Sequence, residues 1–271
     1  MTNPDNNVAR TYLPPRGHPL GSNRTWKVGA SLVVPLLKII SKPTWLGIEN
    51  IPQSGPMIAM GNHISYVDPL IFAYFLYENG RAVRFMGKAS LFRVPVIGWI
   101  LRNAEQVPIE REVKGSSANA ICQSVALLEA GHCLGIYPEG TLTRDESSWP
   151  MVAKTGLARM AVITKVPVIP CAQWGATQIL APYSKRLKLW PRTKIVMAAG
   201  KPLDFSPWYG KEDDHEAMLE ATAYAMSAIT QLLEKIRGES APKDIFDPHL
   251  SDLPRVGNFK KTKNEKNKRE K

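Results

Sequence analysis

The stretch Met57-Ile58-Ala59-Met60-Gly61-Asn62-His63-Ile64-Ser65-Tyr66-Val67-Asp68-Pro69 reads as strand, loop and helix start in one short segment. Met57 to Met60 is an apolar run short enough for a buried strand. Asp68-Pro69 then opens an apolar segment through Leu76. An aspartate at the N-cap followed by proline at the first helical position is a helix-start signature. Between them lies a histidine five residues before the aspartate. A histidine at a strand end with a carboxylate in reach is the smallest set of groups that can act as a general base. The carboxylate would hold one ring nitrogen and leave the other free to take a proton.

The same strand-then-loop pattern recurs along the chain. Val83 to Met86, Val107 to Ile109, Cys133 to Tyr137, Val166 to Ala172 and Lys194 to Ala199 read as strands. Helices are expected from Ser116 to the glycine stop at Gly131, over Gly156 to Lys165, and from about Asp214 to Arg237 with Gly238 beyond. Strands alternating with helices predict an α/β fold, a largely parallel central sheet flanked by helices. Ligands of such sheets collect at the carboxyl ends of the strands. Both the His63 loop and the loop Tyr137-Pro138-Glu139-Gly140-Thr141 follow such ends.

The 271 residues are 44% hydrophobic, enough for a full core. The net charge is +11, of which the last twelve residues supply +5, seven Lys/Arg against two Glu. A basic body with a basic tail suits phosphate esters and anionic lipid headgroups. The body holds no recognised nucleic-acid module, so no specific nucleic-acid partner is expected. Cys122, Cys133 and Cys171 are scattered, without metal spacing, and read as reduced thiols. The chain divides into a flexible arm (1–24), a helical segment (25–45), an α/β domain (46–240) and a basic tail (241–271) that reads as disordered. No stretch of 18 apolar residues is present. Val28 to Ile40 is flanked by Trp26, Trp45 and several lysines, which fits either a helix lying in a membrane interface or a core helix docked on the domain.

Taken in order, these blocks resemble the glycerolipid acyltransferase superfamily, in particular bacterial 1-acylglycerol-3-phosphate acyltransferases. The likeness spans roughly residues 45 to 205. It rests on Asn62, His63 and Asp68 for Asn-His-x-x-x-x-Asp, on Pro108-Ile109-Glu110-Arg111, on Pro138-Glu139-Gly140-Thr141, on Lys154-Thr155-Gly156 and on Val166-Pro167-Val168-Ile169. The family commonly has Arg-Ser after the Pro-Glu-Gly-Thr run. Here Leu142-Thr143 intervene before Arg144, a departure that bears on how an acceptor phosphate is held.

The resemblance implies acyl transfer from acyl-CoA or an acyl carrier protein thioester, as co-substrate, to a lysophosphatidate-like lipid. No other cofactor and no metal is implied. His63 and Asp68 would be catalytic. Arg111 is the leading phosphate clamp, because guanidinium binds phosphate bidentately, and Arg144 and Lys154 come next. Glu139, Gly140 and Thr141 would shape the substrate site, with loop amides such as that of Gly140 as anion donors. Residues 25–45 would then dock on an anionic membrane surface at the cytoplasmic face of the cell membrane. A serine hydrolase is disfavoured by the lack of a Gly-x-Ser-x-Gly elbow. A purely lipid-binding protein would leave the ordered blocks without a purpose.

Overall fold

The computed structural model describes residues 19–110, 116–248 and 250. In chain order its main elements are α1 (Arg24–Ile40), β1 (Ser41–Leu46), β2 (Met57–Gly61), α2 (Asp68–Glu78), β3 (Val83–Lys88), α3 (Ala89–Phe92), α4 (Pro95–Asn103), β4 (Val107–Ile109) and α5 (Ser116–Glu129). These are followed by β5 (Cys133–Ile136), α6 (Gly156–Thr164), β6 (Val168–Trp174), α7 (Ala176–Ile179), β7 (Thr193–Ala199) and α8 (His215–Arg237).

The strands form one sheet in the order β1-β7-β6-β2-β5-β3-β4. Every neighbouring pair is parallel except β6 and β7. The carboxyl ends of β6, β2, β5, β3 and β4 therefore share one edge of the sheet, as expected for a largely parallel α/β fold.

Strand β2 sits between β6 and β5 and is buried along its length. Its alternate residues serve two cores, because successive side chains of a strand point to opposite faces. Ile58 and Met60 join the layer that contains Leu128, Leu157, Met218 and Ile229 from α5, α6 and α8. Met57 and Ala59 join the layer that contains Phe72, Phe75 and Leu76 of α2. Each fully buried Ile, Leu, Met or Phe among these contributes about 1.5–3 kcal/mol, and a strand covered on both sides reads as an unbroken apolar run. Helix α8 is capped by Asp214, whose side chain accepts from the Ala217 N–H at 3.2 Å, and stops at Gly238 with φ +68.

Two expectations are corrected. Residues 41–45 are not helical: α1 ends at Ile40, and Ser41–Leu46 is an edge strand paired with β7. Its Ser41, Pro43 and Trp45 face inward while Lys42, Thr44 and Leu46 are exposed. Pro43 is tolerated because an edge strand need not donate on both sides. Asp68, in turn, is not the N-cap of α2. Val67 holds that position, and the Leu70 and Ile71 N–H groups donate to the Val67 carbonyl. The Asp68 side chain turns back towards the preceding loop instead.

The outer surface carries an apolar band. Val28, Leu32, Leu36 and Ile39 form an exposed stripe on α1, and Val96, Ile97, Trp99 and Ile100 are exposed on α4. The two helices meet where Asn23 Nδ2 donates to the Asn103 carbonyl (2.7 Å) and Trp26 Nε1 to the Ala104 carbonyl (3.3 Å). At the other end of α1, Arg192 Nη2 donates to the Lys38 and Ser41 carbonyls at 2.6 and 2.7 Å. This places the loop bearing exposed Leu187, Leu189 and Trp190 beside the same helix. Among the described residues, no helix is long and apolar enough to cross a membrane.

Candidate active site

Two loops meet at the carboxyl edge of the sheet: residues 62–67 after β2 and residues 137–155 after β5. Asn62 anchors the first to β6. Its side chain exchanges two hydrogen bonds with the Gln173 backbone (3.1 and 2.8 Å), and Gln173 Nε2 donates to the Asn62 carbonyl at 3.2 Å. The next residue, His63, is thereby aimed off the end of a clamped strand.

His63 Nδ1 lies 2.9 Å from Asp68 Oδ2. The same oxygen accepts from the Ile64 N–H (2.6 Å) and the Ser65 N–H (2.7 Å). Asp68 is fully buried, and its Oδ1 is buried with no hydrogen-bond partner. Burial raises its pKa, opposed by the bonds from His63, Ser65 and Ile64. A carboxylate that accepts from two amides takes the imidazole Nδ1–H as its third donor. That assigns the proton to Nδ1 and leaves the Nε2 lone pair for substrate.

The imidazole is held flat as well as anchored. Its ring stacks on Tyr137 (centroids 4.1 Å apart, planes 17° apart), and Tyr137 stacks on Phe85 at 5.8 Å and 7°. Phe85 fits because Gly135 of β5 has no side chain: a Cβ there would fall 2.4 Å from the Phe85 ring. The aromatic stack and the Asn62–Gln173 clasp carried no recognisable pattern in the sequence, since both depend on strand neighbours.

Glu139 joins the two loops from behind. It is buried, with Oε1 accepting from the His63 N–H (3.3 Å) and Oε2 from the Met151 N–H (3.1 Å). The Thr143 N–H donates to the His63 carbonyl at 2.7 Å. Burial pushes the Glu139 carboxyl up to about 8, against the pull of the Met151 and His63 amides. In the unfolded chain this group ionises near the ordinary glutamate value, so between that pH and about 8 the folded state holds the extra proton. Stability should therefore fall as pH rises through that window, by up to about 1.4 kcal/mol per unit. Glu139→Gln should remove this slope. Denaturant melts at pH 5 and pH 8 should show the variant losing less stability than the parent, and parallel losses would contradict the assignment.

The other expected residues divide by position. Gly140 and Thr141 line a cavity of about 1240 Å³ that also contains His63 and Lys154. The Gly140 amide is not available to an anion, because it donates to the Tyr137 carbonyl at 2.9 Å. Glycine serves there for its φ of +70, which side chains rarely adopt. Lys154 is exposed beside the cavity, and its N–H closes the loop onto the Pro138 carbonyl at 3.0 Å. Arg144 is buried and does not line the cavity; its charge lies near Tyr183. Arg111 lies outside the described residues, two positions beyond the end of β4.

The cavity is larger than an ordinary small-molecule pocket and mainly apolar. One side is formed by Trp26, Gly29 and Val33 of α1 with Leu70 and Ala73 of α2, the other by Ile121 of α5 and Leu157 and Met160 of α6. Because α2 and α6 cover opposite faces of the sheet, the cavity passes across the strand ends, where His63 stands. Arg159 is a further cationic lining residue that the spacing of the blocks did not single out. Among the described residues, no three His, Cys, Asp or Glu side chains gather where they could hold a metal.

Comparison with known proteins sets this chain beside acyltransferases. The model of the Acyltransferase family matches residues 42–174. A chloroplastic 1-acyl-sn-glycerol-3-phosphate acyltransferase of Brassica napus is 28% identical over 169 residues, 62% of this chain and 45% of that protein. The 1-acyl-sn-glycerol-3-phosphate acyltransferase of Borreliella burgdorferi is 34% identical over 124 residues, 46% of this chain and 48% of that one. The matches thus span about half the length of these two relatives. The crystal structure of the 1-acyl-sn-glycerophosphate (LPA) acyltransferase PlsC from Thermotoga maritima shares the fold with a TM-score of 0.57 at 21% identity, over 80% of this chain and 84% of that one. Residues 42–174, which carry both loops of the site, are thus similar to the Acyltransferase family, and the relatives compared are O-acyltransferases.

Proposed function

We propose that this protein moves a fatty acyl group from acyl-CoA or an acyl carrier protein thioester to the free hydroxyl of a 1-acylglycerol 3-phosphate, giving phosphatidate. The observation that carries this reading is the His63–Asp68 pair opening on a mainly apolar cavity of about 1240 Å³. In the proposed reaction the acceptor hydroxyl gives its proton to His63 Nε2 as its oxygen attacks the thioester carbonyl. Asp68 stabilises the imidazolium that forms. When the C–S bond breaks, the imidazolium returns the proton to the departing thiolate. Direct attack by the acceptor requires no protein nucleophile. Lys154 and Arg159 at the cavity, with Arg111 beyond β4, are the proposed partners for the acceptor phosphate. The test is thiol release from palmitoyl-CoA with and without oleoyl-lysophosphatidate. Release that depends on the acceptor, with phosphatidate as product, supports the reading. Equal release without acceptor identifies a thioesterase instead, and transfer only to glycerol 3-phosphate or another lysolipid changes the acceptor.

The apolar band of α1, α4 and the Trp190 loop is the proposed seat on an anionic bilayer, at the cytoplasmic face of the membrane. Lys27, Lys38, Lys185, Arg186 and Lys188 flank the exposed apolar residues, the arrangement that favours an interfacial helix. The double substitution Leu32→Glu/Ile97→Glu is expected to weaken cosedimentation with phosphatidylglycerol vesicles by at least about tenfold, since each buried aliphatic side chain is worth about 1.5–3 kcal/mol. Unchanged vesicle binding would move the seat elsewhere.

A further inference from the structure

Arg237, in the last turn of α8, lies far along the chain from both loops of the site. Its guanidinium is sandwiched between two indoles, 4.0 Å from the Trp149 ring centroid and 4.1 Å from that of Trp174. The side chain is only 6% exposed. Nη1 donates to the Ser147 carbonyl (2.9 Å) and Nη2 to Glu239 Oε2 (2.7 Å), while Nε is buried without a hydrogen-bond partner. A planar guanidinium can stack on two π faces at once as an ammonium group cannot.

Both indoles belong to segments that end at the histidine. Trp174 follows Gln173, whose N–H donates to Asn62 Oδ1 at 2.8 Å. The Trp149 carbonyl accepts from Thr143 Oγ1 at 2.7 Å, and the Thr143 N–H donates to the His63 carbonyl, also at 2.7 Å. The Trp149 N–H is in turn held by Asp145 Oδ1 at 2.9 Å. The two segments therefore hold residues 62 and 63 from two sides, and the Arg237 guanidinium touches both of their tryptophans.

We infer that Arg237 is a positioning residue: by clamping Trp149 against Trp174 it fixes the loop after β5 to β6 and so sets the place of His63. This rests on the reading of His63 as the base. The geometry explains why a cation should be buried at this point, away from the lining of the cavity. Its Nη1 bond reaches the turn at Ser147, so the side chain grips the loop by both a ring and a carbonyl.

The test compares Arg237→Met and Arg237→Lys with the parent in the full chain by hydrogen–deuterium exchange and by turnover. Arg237→Met is expected to speed exchange about tenfold in peptides covering residues 61–66 and 141–152, where the Thr143 amide reports directly on its bond to His63. Peptides from β3 and α5 should not change. Arg237→Lys should restore part of the protection and keeps the comparison possible if the methionine variant does not fold. In turnover, kcat should fall about tenfold to a hundredfold with KM little changed, the size of effect a slight misplacement produces. The loss should not add to that of Thr143→Val, because both act along one path. Exchange changes confined to residues 234–246, or additive losses, would overturn the inference. If the parent shows no transfer to any acceptor, the functional reading fails, while the exchange comparison still decides whether the clamp exists.

Discussion

His63→Ala should lower acceptor-dependent thiol release by about 10²–10⁴, the usual contribution of a positioned general base. The fold should persist. The imidazole side chain is 13% exposed at the cavity edge, and the bonds that tie the loop down (His63 N–H to Glu139, Thr143 N–H to the His63 carbonyl) use backbone atoms that alanine keeps. Asp68 would lose one donor and retain the Ile64 and Ser65 amides. Circular dichroism and a thermal melt close to the parent's, together with lost transfer, would separate chemistry from folding. A folded variant that transfers acyl groups at the parental rate would sink the mechanism.

Asp68→Ala should be the more damaging change, because this side chain does two things at once. Its Oδ2 orients the imidazole and also satisfies two backbone amides of a buried turn. Alanine leaves both amides without an acceptor and removes the imidazole's partner. Breaking a buried pair in this way costs about 3–5 kcal/mol of stability. Asp68→Asn keeps an oxygen for the amides but no negative charge for the imidazolium. It should therefore fold nearly as well as the parent while losing up to about 10⁴ in rate, the scale seen when a histidine's orienting carboxylate is made an amide. Urea titrations of both variants beside the thiol assay would show this split. An asparagine variant of full activity would restrict Asp68 to a structural role.

The contrast between those two variants marks how the site was legible. Asp68 followed by Pro69 has the local chemistry of a helix cap, and the helix does begin there. The sequence could show that His63 and Asp68 share a loop, since only four residues separate them and both flank a turn. It could not show that the aspartate turns back to the Ile64 and Ser65 amides, because that choice depends on the path of the loop between β2 and α2. Edge strand β1 escaped detection for a similar reason. Ser41–Leu46 continues directly from a helix, includes a proline and a lysine, and becomes a strand only because β7 offers it a partner.

Glu139 and Gly140 show the same division. Their place after an apolar strand put them at the sheet edge from the sequence alone. Only packing revealed that the Glu139 carboxyl is buried behind His63, and that the Gly140 amide is spent on the Tyr137 carbonyl.

What the sequence determined by itself was local and periodic: the apolar runs of β2 and β5, the helix stops at Gly131 and Gly238, and the ordered His63, Asp68 and Glu139 blocks at strand ends. These follow from nearest-neighbour chemistry, which a linear pattern records. The tertiary structure alone decided which partners close the site: Gln173 on Asn62, Tyr137 on the imidazole, and Arg237 between Trp149 and Trp174. Those pairs are separated by 63 to 111 residues of chain, and their meeting depends on strand order and on the side to which each helix crosses, neither of which short-range spacing encodes.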